Sequence, residues 1–160
     1  MNEINTQIEN IFDEEIKSIN HKITGVLFLE LLKFKLIDRI FNILSEKNLK
    51  ILSSSKFEFK KIIEEKIINV RLVLTKNGIS LINQNIDKST LFLSIDGILN
   101  LGILLNKEKK IFNNLSILPK MGICLPTNTI INLKLNKNKS YFEITMLEKL
   151  DIENKKNYTI

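Results

Sequence analysis

Few residues in this chain are suited to nucleophilic or acid–base chemistry. It contains one histidine, His21, and one cysteine, Cys124, so a nucleophile–base pair requires these two residues to meet in the fold. Cys124 lies in an apolar segment between two prolines, a setting typical of a small core residue. One histidine and one cysteine are too few for a zinc site built from those ligands. We expect neither a metal nor a cofactor.

Carboxylates offer the remaining catalytic alternative. Asp87, Asp96 and Glu143 are the candidates, but Asp96 precedes Gly97 as a turn residue and Asp87 lies in a polar loop. The five glycines are scattered along the chain and do not form a phosphate-binding loop. The sequence therefore predicts a protein that is not an enzyme.

The basic charge must be weighed against the composition. Isoleucine, lysine and asparagine supply 28, 22 and 20 of the 160 residues, alanine is absent, and Arg39 and Arg71 are the only arginines. This bias indicates an AT-rich genome. A net charge of +6 normally favours nucleic-acid binding. Here it favours that function less, because arginine, which contacts phosphate and guanine in bidentate fashion, is nearly missing.

Two basic clusters nevertheless keep a nucleic-acid interpretation open. One lies in a charged loop, and the other lies in a predicted hairpin beside aromatic residues that could stack on bases. The predicted contacts are Lys107, Lys109, Lys110, Lys137, Lys139 and Tyr141. The alternative interpretation is that lysines on loops and strand edges prevent sheet aggregation.

The N-terminal segment predicts an amphipathic helix. Its apolar residues recur at helical spacing as Ile4, Ile8, Ile11, Phe12, Ile16 and Ile19. This stripe packs either on the chain's own core or on another subunit. A second helix is predicted from about residue 27 to 46, and its start is apolar on every side. The predicted partner contacts are Ile4, Ile8, Ile11, Phe12, Phe28 and Leu29.

The remainder of the chain predicts mainly strands. Residues 49–53 favour a short strand, and residues 57–66 favour a short helix because they are rich in Glu and Lys. After residue 66 the apolar residues alternate with period two. Asn77-Gly78 predicts a hairpin between two such runs, and residues 136–139 predict another. A turn is expected at Asp96-Gly97.

The sequence as a whole predicts an α+β fold in which an N-terminal helical hairpin packs on an antiparallel β-meander, sandwich or partial barrel. We expect one domain over residues 1–160, helical over 1–48 and mainly β over 49–160. No secretory signal or membrane span is evident, so we expect a cytoplasmic or nucleoplasmic protein. The favoured function is a non-catalytic interaction module that binds a protein partner or a second copy; the alternative is a nucleic-acid-binding domain.

Overall fold

Three helices open the described part of the chain. A computed structural model describes residues 3–53, 56–75, 80–135 and 139–148. Helix α1 spans Glu3–Ser18, α2 spans Gly25–Ile43 and α3 spans Glu46–Ser53. The apolar stripe of α1 is buried along its length, which confirms the predicted amphipathic helix. None of the described helices combines the length and apolarity needed to span a bilayer.

The strands that follow form two antiparallel sheets. Within the described residues they are β1 Glu58–Ile63, β2 Lys66–Leu74, β3 Ser80–Ile86, β4 Ser89–Asp96, β5 Leu99–Asn106, β6 Ile111–Ile117, β7 Gly122–Leu125, β8 Thr129–Leu135 and β9 Ser140–Glu148. The five-stranded sheet has the order β1-β2-β9-β4-β7, and the four-stranded sheet has the order β3-β8-β5-β6. The predicted α+β fold, with helices packed on an antiparallel sandwich, is therefore confirmed.

The molecule has three layers with the five-stranded sheet in the middle. Strand β4 shows why: Leu91 and Leu93 face the helices, whereas Phe92 between them faces the four-stranded sheet. Both faces of this sheet are buried at β4, where seven of the eight residues, Ser89–Ile95, are buried. The four-stranded sheet buries Leu101, Leu133 and their neighbours against the middle layer and turns its other face outward.

Both predicted hairpins are wrong in their pairing. Strand β2 pairs with β1 and β9, while β3 pairs with β8, so the chain passes from one sheet to the other after β2. Likewise β8 and β9 belong to different sheets. Both predicted turns include residues outside the described part of the chain. Alternation identifies a strand and its buried face, but it does not choose the partner strand.

Two element predictions are also wrong. Residues 49–53 belong to helix α3 and not to a strand. Residues 58–63 form strand β1 and not a helix, because Phe59 and Ile63 pack against the core beneath the helices. Here tertiary burial outweighs the helix propensity of a segment rich in Glu and Lys. The turn at Asp96-Gly97 is confirmed: Gly97 has φ +87°, a conformation that glycine adopts without a Cβ clash.

Candidate functional site

The six side chains that the sequence predicts as partner contacts lie inside the chain's own core. Ile4, Ile8, Ile11, Phe12, Phe28 and Leu29 are between 0 and 7% exposed. Phe12 packs edge-on against Phe59 and Phe142, with ring centroids 5.4 and 5.5 Å apart. Helix α1 would have to leave the sheet before a partner could contact these residues. Of the two interpretations of these residues, the described structure has the one in which they pack on the chain's own core, where burial removes their apolar side chains from water.

Helix α2 also carries apolar side chains that are exposed to solvent, at positions other than Phe28 and Leu29. Leu27 and Phe34 are 58 and 68% exposed, and Phe41, which is half-buried, follows seven residues later. A spacing of seven residues is close to two helical turns, so the three side chains lie in line along one face of α2. We call Leu27, Phe34 and Phe41 the α2 stripe.

The α2 stripe lies beside strand β7, at an edge of the five-stranded sheet. The Lys120 Nζ atom, in the turn before β7, is 5.9 Å from the centroid of the Phe41 ring. The neighbouring side chains Leu118 and Met121 are 46 and 50% exposed. On the helix, the stem of Lys33 lies so close to Gly122 that a Cβ atom there would be 3.1 Å from Lys33 Cδ. The Phe41 end of the stripe therefore lies beside this turn.

The lysines of the two predicted clusters differ in their exposure to solvent. Lys107, Lys109 and Lys110 are exposed in the turn between β5 and β6. Lys139 is half-buried, and its side chain lies across Gly97. Lys137 lies outside the described residues.

Tyr141 cannot act as the predicted stacking partner for a base. It is 2% exposed and packs against Phe92 between the two sheets, with ring centroids 5.8 Å apart. Burial raises the pKa of its hydroxyl above the ordinary value. The correction has a topological reason: Tyr141 is near the start of β9, which lies in the middle of the five-stranded sheet.

A buried ion pair that the sequence did not reveal joins the helices to the sheet. Lys66 is 2% exposed; its Nζ donates to the carbonyl of His21 and lies 3.4 Å from Glu148 Oε2. Glu148 Oε1 accepts a hydrogen bond from the N–H of Gly25 at 2.7 Å, so the carboxylate caps α2. The ammonium is also 5.2 Å from the centroid of the Phe28 ring. The sequence did contain one signal of this burial: Lys66 alternates with period two with Ile68 and Val70, which are buried on the same face of β2.

A cleft of about 410 Å³ opens above this ion pair. It is lined by His21, Lys22, Thr24, Glu64, Glu65, Lys66 and Glu148. The buried groups at its floor form an ion pair with each other, and each is hydrogen-bonded to the backbone. This arrangement suits a structural clamp that fixes the start of α2 on the sheet.

The candidate catalytic side chains lie far from one another, are partly buried, or are already paired with another side chain. Cys124 is half-buried, and burial, followed by the nearby Glu30 carboxylate, raises its thiol pKa to about 12. Asp87 precedes β4 and Asp96 is its last residue, so the length of this strand, roughly 25 Å for eight residues, lies between them. Glu143 is 2.9 Å from Arg71 Nη2 on the neighbouring strand. Within residues 3–53, 56–75, 80–135 and 139–148, no three His, Cys, Asp or Glu side chains are grouped so that they could hold a metal ion.

Comparison with known proteins yields likenesses to solved structures only. No family model matches the chain, and no curated protein matches it in sequence. A cupin superfamily protein from Desulfitobacterium hafniense is 11% identical, with a TM-score of 0.42 over 59% of this chain and 79% of its own. A protein from Neisseria meningitidis is 9% identical, with a TM-score of 0.42 over 62% of this chain and 95% of its own. The EutQ protein of Clostridium difficile is 11% identical, with a TM-score of 0.42 over 59% of this chain and 68% of its own. Function must be inferred from this chain's own residues.

Proposed function

We propose that the chain is a non-catalytic protein–protein interaction module that binds an acidic partner through the α2 stripe. One observation carries the proposal: Leu27 and Phe34 are 58 and 68% exposed on a helix whose opposite face, including Phe28 and Leu29, is completely buried. Leu118 and Met121 add two exposed apolar side chains in the turn that Lys120 joins to Phe41. Exposed apolar side chains grouped in one region are typical of protein-binding sites.

The charge around the stripe favours an acidic partner over a second copy. Lys35 and Lys120 are exposed on either side of the stripe, whereas Lys33 is paired with Glu30 at 2.7 Å. Asp38 adds one exposed acid to the helix. The whole chain carries a net charge of +6, so two copies repel each other while an acidic surface is attracted. The partner should therefore present an apolar centre with a carboxylate-rich rim.

Stability measurements separate a binding role from a core role. Phe34→Ala should change the free energy of unfolding by less than about 0.5 kcal/mol, because the ring is mostly in water. Phe28→Ala, on the same helix, should lower it by about 3–5 kcal/mol, because that ring is fully buried. Urea unfolding followed by circular dichroism measures both. An equal loss in the two variants would show that Phe34 is a core residue.

The partner itself can be trapped at the stripe. A benzoylphenylalanine photocrosslinker at position 34 should yield an adduct with an acidic protein in cells of the native host. Ile62, an exposed residue of the edge strand β1, is the matched control because it is 72% exposed. Lys35→Glu with Lys120→Glu should abolish the adduct at 34. Equal adducts at both positions would contradict the proposal. So would a dimer in light scattering that Phe34→Ala dissociates, which would assign the stripe to self-association.

A further inference from the structure

The outward face of the four-stranded sheet has an unusual composition. Cross-strand register places the same-facing residues in rows: Asn83, Asn132, Gly102 and Asn114 form one row, and Lys134, Asn100 and Ser116 form part of the next. These positions alternate with the buried Leu101, Ile131 and Leu133, so they face away from the core. We call this surface, with Phe112 and Asn85 at its margin, the amide face.

Gly102 brings two carboxamides together at the centre of the amide face. Asn132 and Asn114 flank it on the neighbouring strands. A Cβ atom at this position would lie 2.2 Å from Asn132 Oδ1 and 3.0 Å from Asn114 Oδ1. The two side chains therefore lean over the glycine from both sides. Their amide groups present donors and acceptors together in a small area.

An aromatic ring and a set of cations border these amides. Phe112, which is half-buried, shares the outward face because it pairs with Leu104, two residues beyond Gly102. It follows the turn that exposes Lys107, Lys109 and Lys110, and Lys134 is exposed on the opposite side of the amide row. Glu108, in the turn, is the acid next to these lysines, and none of the named amide-face residues is acidic. The charge of this surface therefore suits a polyanion.

We propose that the amide face binds single-stranded nucleic acid. Carboxamides hydrogen-bond to exposed base edges, an aromatic ring stacks on a base, and lysines contact the phosphates on either side. The face is large enough: four strands spaced at about 4.8 Å span about 14 Å, and the rows from Lys134 to Phe112 extend about 13 Å along the strands. This area suits a site at the lower end of the range of about 4–16 nucleotides. The site lies on the layer farthest from the α2 stripe and is independent of it.

Fluorescence anisotropy with labelled single-stranded oligonucleotides of about 12 residues, at low salt, tests the site. Phe112→Leu should raise the dissociation constant about tenfold, because it removes base stacking and keeps an apolar side chain. Asn132→Asp should raise it at least about tenfold, because it adds a negative charge beneath a bound polyanion at nearly unchanged side-chain size. Gly102→Ala should also weaken binding, since the added methyl separates the two carboxamides.

A matched control comes from helix α2. Asn42→Asp makes the same change of charge as Asn132→Asp at an exposed helical position, and it should leave the dissociation constant within about twofold. Circular dichroism verifies that each variant is folded. Undetectable binding at low salt would overturn the proposal. So would binding that Phe112→Leu and Asn132→Asp leave unchanged, or that heparin, which has no bases, abolishes while Phe112→Leu has no effect. Either of the last two results would indicate that the lysine turn binds polyanions in general.

Discussion

Replacing Lys66 with methionine tests whether the buried ion pair holds the helices on the sheet. Methionine keeps an unbranched apolar stem of similar length, whereas the charge is lost, and with it the contact of the ammonium with the Phe28 ring. The carbonyl of His21 loses its donor, and the carboxylate of Glu148, which is 7% exposed, loses its cation. The substitution therefore isolates the electrostatic part of the contact.

The magnitude follows from what remains around Glu148. Removing one partner of a buried ion pair costs about 3–5 kcal/mol, because the other charge stays buried without compensation. Glu148 still accepts the hydrogen bond from the N–H of Gly25 at 2.7 Å and lies at the positive end of α2. These two interactions favour the lower limit, so we expect a loss of about 3 kcal/mol. Against a typical total stability of about 5–15 kcal/mol, such a loss is easily measured.

Urea unfolding at pH 7, followed by circular dichroism, provides the assay. Glu148→Leu and the double variant with Lys66→Met complete a thermodynamic cycle, and the double variant should lose less than the sum of the two single losses. The coupling should exceed about 1 kcal/mol, since the double variant leaves neither charge buried alone. A Lys66→Met loss below about 0.5 kcal/mol, or fully additive losses, would refute the assignment of Lys66 and Glu148 as a clamp.

Two further predictions concern single titratable groups. Burial raises the thiol pKa of Cys124 to about 12. Iodoacetamide at pH 8 should therefore alkylate the native chain far more slowly than the chain in concentrated urea. Equal alkylation rates would contradict the burial of this thiol. A hydrogen bond from Lys17, together with Lys61, holds the pKa of Asp13 below its ordinary value, so its stabilising effect is present above about pH 4 and is lost as the pH falls through the lowered pKa. Asp13→Asn should therefore cost about 0.3–0.5 kcal/mol at pH 7 and nothing near pH 2 in unfolding experiments, whereas a loss independent of pH would contradict the pairing.

Local periodicity alone was sufficient to identify several elements of this protein. The spacing from Ile4 to Ile19 predicts α1 and its buried face, because a helix places residues three and four apart on one side. The alternation around Leu133 and Ile144 predicts strands, and Asp96-Gly97 predicts a turn. Each of these features depends on neighbours within a few residues, so the sequence contains the necessary information.

Only the tertiary structure decided which strands meet and which apolar residues remain exposed. Tyr141 was expected at a surface, but β9 pairs with β2 and β4 in the middle layer, which buries it. Helix α2 is apolar around much of its circumference, so its sequence does not indicate that Phe28 faces the sheet and Phe34 faces solvent. The same holds for Lys66, whose partners are 45 and 82 residues distant in the chain. These outcomes depend on how three layers close around two cores, and local patterns do not encode that long-range choice.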